Sequence, residues 1–216
     1  MRIGVLSDTH NLLRDEVVSA LNGCDAILHG GDISSQKVLN QLQELAPLYV
    51  VRGNNDKAWA EHIPLYLDFR LAGVHVYMTH KKKDLPKDLG AYDLVVYGHS
   101  HKYEESRQAR TLLLNPGSCG PRRFHQAITM AILEIAGGEI TVEKINIPHP
   151  EPAAKASGGN IKQTIETVMR EFDKGRSIGE IASRHGLDPN LTEQIARLYV
   201  THPGVTAEGI MTKMGM

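Results

Sequence analysis

Six short apolar runs, each stopping abruptly in a knot of polar residues, constrain this chain more than any other feature of its sequence. The runs cover residues 2–6, 26–28, 48–51, 74–78, 94–97 and 111–114 and are rich in Val, Ile, Leu and Tyr. Segments that are only a few residues long and continuously apolar are what strands buried on both faces look like. Between them, residues 14–21 carry Val17, Val18 and Leu21, and residues 35–45 carry Val38, Leu42 and Leu45, at helical spacing. Two longer runs, 127–135 and 140–147, flank Ala136, Gly137, Gly138 and Glu139 and predict a hairpin. Strands alternating with helices and closing on a hairpin predict an α/β domain of mixed sheets over residues 1–147.

Composition changes after that point. Residues 148–160 read as a linker rich in Pro, Ala, Ser and Gly. Residues 161–216 then repeat helical patterns: 161–172, 178–185 behind the cap residue Ser177 and ahead of Gly186, 191–200, and 206–214. The stretch SIGEIASRHGLDPNLTEQIARLY is similar to a helix-turn-helix, with Ala182, Gly186 and Ile195 at its small, turn and core positions. Its charge argues against reading DNA. From 151 to 216 there are eight Lys and Arg against eight Asp and Glu, whereas neutralising phosphates needs a cationic face. A packing or self-associating module is the expectation, with nucleic acid left as the lesser reading. The whole chain has a formal net charge of −1, so bulk electrostatics select neither nucleic acid nor membrane. The start, MRIGVLSDTH, lacks the regions of a signal peptide, and no run approaches the ~20 apolar residues of a membrane span. A cytoplasmic chain is expected, with Cys24 and Cys119 as small reduced core residues.

The polar knots carry the chemistry. The strands run into Asp8-Thr9-His10, Gly30-Gly31-Asp32, Arg52-Gly53-Asn54-Asn55-Asp56, Thr79-His80, Gly98-His99-Ser100-His101 and Asn115-Pro116-Gly117-Ser118. Loops past the carboxyl ends of strands in open α/β sheets are where ligands bind. Taken singly, each knot is ordinary: an Asp ahead of a helix is a cap, NPGS is a turn, and a lone His is a structural residue. Taken together, Asp8, His10, Asp32, Asn54, His80, His99 and His101 form a carboxylate, imidazole and amide set without thiolate. Such donors favour Mn, Fe, Zn, Co or Ni, leave Mg open as a further option, and disfavour a structural thiolate zinc site. The set is too large for one ion, and a shared carboxylate lets it serve two divalent ions about 3.5–4 Å apart, the arrangement that clamps a phosphoryl group.

The ordered blocks DxH, GGD, GNND, TH, GHSH and NPGS resemble the calcineurin-like metallophosphoesterase superfamily, and the GNND form is most similar to its small YfcE-type phosphodiesterase branch. The resemblance implies a four-layer αββα sandwich of two mixed sheets. It also implies a first metal on Asp8, His10 and His101, and a second on Asn54, His80 and His99, with Asp32 bridging. Catalytic weight would fall on Asp32, Asn54, Asn55 and His99, with Mn as the expected metal and a bridging hydroxide attacking phosphorus. The implied activity is hydrolysis of phosphate esters, diesters above all, of nucleotide-like kind. The alternative is a non-catalytic scaffold or regulator of the same fold. Two positions depart from the pattern. Asn55 stands where many members carry a His that protonates the leaving oxygen, and Lys81 stands where the family usually has Gly. Lys81, Lys82, Lys83 and Lys87 form a basic run beside the site, with Arg122 and Arg123 as further cations. Of the histidines outside the motifs, His125 is the best substitute acid.

Overall fold

A computed structural model describes residues 1–122, 126–148, 161–202 and 204–214. The chain divides into two compact units, Met1–His149 and Pro150–Met216. Most of the expected linker, together with Arg123 and His125, lies outside the described residues.

The first unit contains ten strands: β1 (Arg2–Leu6), β2 (Ala26–His29), β3 (Leu48–Val50), β4 (Tyr66–Leu71), β5 (Val74–Thr79), β6 (Leu94–Val96), β7 (Tyr103–Gln108), β8 (Thr111–Pro116), β9 (Thr129–Ala136) and β10 (Glu139–Asn146). Helices α1 (Asp15–Leu21) and α2 (Gln36–Leu45) complete it. The strands form two mixed sheets with the orders β10-β9-β1-β2-β3 and β4-β5-β6-β8-β7. In the first, β1, β2 and β3 are parallel; in the second, β5, β6 and β8 are parallel. Parallel neighbours bring their carboxyl ends to the same edge, so the polar knots that follow these strands collect at that edge.

Strand alternation sorts the apolar side chains into layers. Ile3, Val5, Ala26, Leu28, Val76, Met78, Leu94, Val96, Leu112 and Leu114 fill the space between the sheets. Leu6 and Ile27 point the other way, onto Val17 and Leu21 of α1 and Val38, Leu39 and Leu42 of α2. On the outer face of the second sheet, Val95, Tyr97 and Leu113 pack under Leu85, Leu89 and Tyr92 of the connection ahead of β6. That connection contains a 3₁₀ turn at Lys82–Asp84. The expected hairpin joins β9 to β10, with Ala136 paired to Glu139. Gly137 and Gly138 lie at φ of 59° and 84°, the doubly left-handed turn that tight hairpins require.

Two strands carry no apolar run and were not marked by the pattern of the sequence. β4 (YLDFRL) alternates exposed and half-buried residues, and β7 (YEESRQ) is mostly exposed. Both are edges of the second sheet, where charged side chains blunt open hydrogen-bonding groups.

The second unit holds α3 (Ile161–Asp173), α4 (Ile178–His185), α5 (Pro189–Thr201) and α6 (Ala207–Lys213). Its core is Ile165, Val168, Ile181, Ile195, Ala196, Ala207, Ile210 and Met214. Ser177 and Glu180 form a reciprocal capping box at the start of α4, and Gly186 ends that helix in the left-handed conformation at φ 61°. Among the described residues no helix is long and apolar enough to cross a membrane.

Candidate metal centre

Asp8 and Asp32 are not helix caps. Arg14 and Ser35 occupy the cap positions of α1 and α2, and the two aspartates lie upstream in the loops after β1 and β2. The loops are laced together by main-chain hydrogen bonds from Asp8 N to Gly31 O (2.9 Å), His10 N to Asp32 O (3.0 Å) and Asn11 N to Ile33 O (2.8 Å). Asp8, His10, Asp32, His99 and His101 all have left-handed backbone, with φ between 44° and 71°. Non-glycine residues enter that region only when their surroundings hold them there.

Those surroundings are visible for each loop. The buried Asp56 carboxylate accepts three main-chain N–H groups, from Asp32 (2.9 Å), Ser34 (2.7 Å) and Gly53 (2.8 Å). Gly53 is required by close approach, since a Cβ there would land on the Asp32 carboxylate. Asn115, from the NPGS block, donates its amide to Gly98 O (2.9 Å) and Ser100 Oγ (3.0 Å) and accepts Gly117 N–H (3.0 Å), which pins the GHSH loop. His29, fully buried, accepts Gly31 N–H at Nδ1 (3.1 Å), so its proton sits on Nε2 and is donated to Thr9 Oγ1 (3.1 Å). Burial pushes this imidazole down to about 4 despite the nearby Asp56, Asp8 and Asp32 charges, so it stays neutral.

Two groups of ligand atoms face one another inside this frame. Asp8, His10 and His101 form one; Asp8, Asp32 and His80 form the other; within each, the atoms lie within 4.8 Å of one another. Asp8 Oδ2 accepts hydrogen bonds from Ser7 Oγ (2.7 Å) and His99 N (3.0 Å). Its Oδ1 is buried without a hydrogen-bond partner among the described residues, 3.2 Å from His101 Nε2 and 3.8 Å from His10 Nε2. The two ring nitrogens, His10 Nε2 and His101 Nε2, stand 3.2 Å apart. Donor atoms about 2.1 Å from a common ion are separated by about 3.0–3.4 Å, so the two 3.2 Å spacings match a shared cation and the 3.8 Å spacing is wider than one requires. His80 donates from Nδ1 to Gly30 O (2.8 Å), which leaves Nε2 with a lone pair, buried without a hydrogen-bond partner, 3.5 Å from Asp32 Oδ2. A carbonyl fixing one ring nitrogen while the other points into a cluster is the usual arrangement of a ligating histidine. The donor set therefore fits a divalent metal on its own chemistry.

Charge states agree. Burial by itself would raise both carboxyls. For Asp8 it is outweighed by His101, His80 and the Ser7 hydroxyl; for Asp32 by His80 and by the main-chain and side-chain amides of Asn55. Both are held below the ordinary carboxylate range. For His80, Asp32 and Asp8 overcome the effect of burial and raise its proton affinity. His99 is shifted the other way, by burial first, then by His80 when that ring is protonated, and by the Lys81 charge.

The remaining expected residues are placed differently. Asn54 is exposed, and Lys57 Nζ reaches its main-chain oxygen at 3.4 Å. His99 is exposed with its ring edge-on to His80, centroids 5.2 Å apart. Asn55 caps Asp32, with N to Oδ1 at 2.7 Å and Nδ2 to Oδ2 at 2.6 Å. Arg122 lines a small cavity with His101, Ser118 and Gln126. Sequence reasoning overlooked Asp56, Asn115 and His29 as supports. For Asp56 and Asn115 the available signal was a side-chain acceptor next to a tight turn, which such residues commonly bond.

The model of the calcineurin-like phosphoesterase superfamily domain matches residues 1–138. The chain belongs to that superfamily. A probable metallophosphoesterase of Methanothermobacter thermautotrophicus is 31% identical over 165 residues, covering 69% of this chain and 95% of its own length. A phosphodiesterase of Methanocaldococcus jannaschii is 27% identical over 140 residues, covering 55% of this chain and 84% of its own. The crystal structure of a conserved protein of Streptococcus pneumoniae, described as a phosphoesterase, superposes with a TM-score of 0.54 at 25% identity, covering 69% of this chain and 93% of that one. The two-sheet sandwich described above is thus the calcineurin-like phosphoesterase fold, and metal-dependent phosphoester chemistry is the activity the superfamily supports.

Proposed function

We propose that this chain is a binuclear phosphodiesterase. The observation that carries the reading is the pair of buried ligand atoms, Asp8 Oδ1 and His80 Nε2, left without hydrogen-bond partners and each facing further ligating groups. In this reading Asp8, His10 and His101 hold one ion; Asp32 and His80, with Asn54 and His99 completing the set, hold the other. This reading shares Asp32 between the ions because its Oδ2 lies 3.9 Å from His10 Nε2 and 3.5 Å from His80 Nε2, while Asp8 is the member common to the two groups of ligand atoms. When bound, such ions supply Lewis acidity toward phosphoryl oxygens and make water acidic enough to attack at neutral pH.

The chain's own residues do the rest. Ser7 and the main-chain N–H of His99 fix the Asp8 carboxylate, and Asn55 and Asp56 fix Asp32 from the side chain and the backbone. Carboxylates held below their usual range stay ionised throughout neutral conditions, so the ligand charge is constant. Asn55 donates its amide to Asp32 and has no transferable proton. The leaving oxygen therefore departs without an acid from this position, which favours esters with acidic leaving groups. The helical unit is read as a packing or self-association module, since its Lys and Arg are matched in number by Asp and Glu, whereas phosphate binding favours an excess of cations.

The test is turnover of paired diester and monoester reporters by metal-stripped protein reloaded with Mn, Ni, Co, Zn or Mg, with metal stoichiometry measured alongside. Two ions per chain and diester turnover abolished in Asp32→Ala are expected. One ion per chain, or unchanged turnover in that variant, refutes the assignment.

A further inference from the structure

β4 is one edge of the second sheet and pairs with β5 alone. Ala72 and Gly73 join the two strands at φ of 50° and 83°, which makes a type I′ turn. Such a turn closes on a hydrogen-bonded pair, here Leu71 with Val74, and the ladder alternates from there. Leu71, Phe69 and Leu67 therefore turn their main-chain groups toward β5, whereas Arg70 and Asp68 turn theirs away from the sheet. The bonds of His75, which stands opposite Arg70, agree with this phase. Its N–H goes to the Asp93 carboxylate (2.9 Å) and its carbonyl accepts the Asp93 N–H (2.9 Å), on the side away from β4. Among the described residues, no hydrogen bond joins the main-chain N–H of Arg70 or Asp68 to another segment.

The side chains of this edge divide by face. Leu67, Phe69 and Leu71 pack against the core between the sheets but stay half-buried. Asp68 and Arg70 are exposed on the outer face, where His75 Nε2 (2.7 Å) and Tyr92 OH (2.9 Å) hold the Asp68 carboxylate. Charge on an edge ordinarily keeps other strands away. Here the two charges are opposite in sign and lie two residues apart, so register decides between repulsion and attraction.

An antiparallel second β4 can use the outward N–H and C=O groups only where even-numbered residues meet even-numbered ones. Centring the pair on Asp68 or on Arg70 sets like charges against each other. Centring on Leu67 brings Pro64, which has no N–H, opposite Arg70, and centring on Leu71 runs past the turn. Centring on Phe69 sets Asp68 opposite Arg70 of the second copy, and Leu67 opposite its Leu71. We infer that two copies of this chain associate edge to edge through β4, in the register centred on Phe69, and so join their second sheets into one. The contact is isologous, so each favourable pair occurs twice. It also covers the half-buried Leu67, Phe69 and Leu71. It uses none of the metal-ligand groups, so it stands apart from the phosphoesterase reading.

Sedimentation velocity of the full chain over a wide range of concentration measures the association, and the parent chain should form dimers. Arg70→Asp sets Asp68 against a second carboxylate, and Asp68→Arg sets Arg70 against a second guanidinium. Each variant alone should dimerise at least about tenfold more weakly, and an equimolar mixture of the two should regain the parent affinity, because acidic edges then meet basic ones. Arg70→Pro removes an N–H that no bond within the chain uses, so it should abolish the dimer while the far-ultraviolet circular dichroism stays that of the parent. Should that variant misfold, the mixing experiment decides. A monomeric parent chain overturns the inference, as does a dimer that Arg70→Pro and both charge variants leave unchanged. Weakening in both charge variants without recovery on mixing overturns the register.

Discussion

Replacing Asp56 by Asn tests whether one carboxylate outside the ligand set holds the centre in shape. Oδ2 accepts the N–H groups of Asp32 and Gly53, and Oδ1 accepts that of Ser34. Asn keeps one carbonyl oxygen. Turned to best effect, that oxygen retains the Asp32 and Gly53 bonds, now without full charge, and its NH₂ group faces the Ser34 N–H. One charge-assisted bond is lost, two are weakened, and two donors are set against each other. With bonds to a charged acceptor contributing about 1.5–3 kcal/mol and neutral ones about 1 kcal/mol, the expected destabilisation is about 2.5 kcal/mol or more. Trp59, the chain's one tryptophan, packs against the core of the first unit, so its fluorescence during urea unfolding reports this unit. The same substitution releases the Asp32 main chain, and loss of such an outer support commonly lowers metal affinity about 10–100-fold. A variant that unfolds within about 0.5 kcal/mol of the parent and binds Mn equally well would show that the three hydrogen bonds do not shape the loop.

Acid stability and leaving-group preference give two further tests. His29 is neutral in the folded chain down to about 4, against an ordinary value of 6.5, so the unfolded chain takes up this proton first on acidification. Its contribution is therefore complete above pH 6.5 and is lost as pH falls toward 4, by about 3 kcal/mol at 1.36 kcal/mol per unit. Urea midpoints measured across that interval should decline, less steeply in His29→Gln, and parallel curves would contradict the burial argument. Asn55→His introduces a proton donor next to Asp32, and the ratio of activated to alkyl ester turnover should narrow by up to about 10²–10⁴-fold; an unchanged ratio would mean that leaving-group protonation comes from elsewhere.

The sequence revealed the site more readily than the sheets that present it. Strands buried on both faces announce themselves as apolar runs, and ligands bind where those runs stop, so the convergence of Asp8, His10, Asp32, His80 and His101 could be anticipated. β4 and β7 could not, because an edge strand is selected for charge and alternation, and YEESRQ has the composition of a loop. The supports were hidden for a different reason. Asp56 and Asn115 act on backbone groups contributed by other loops, from Asp32 to Gly98, and no local spacing encodes that reach. The sharing between groups was also only partly legible. Asp32 was expected to be the shared carboxylate, whereas the residue common to both clusters of ligand atoms is Asp8, and Asp32 belongs to one of them.

The left-handed backbone at Asp8, His10, Asp32, His99 and His101 has a consequence for how this chain can change. Each of these residues sits in a conformation that disfavours a side chain by roughly 1–2 kcal/mol and that glycine enters freely. Drift toward glycine at any of the five would relax the fold while erasing a candidate ligand. Selection for thermal robustness alone would thus dismantle the proposed centre, so the five side chains persist in this twist only where something other than stability selects them.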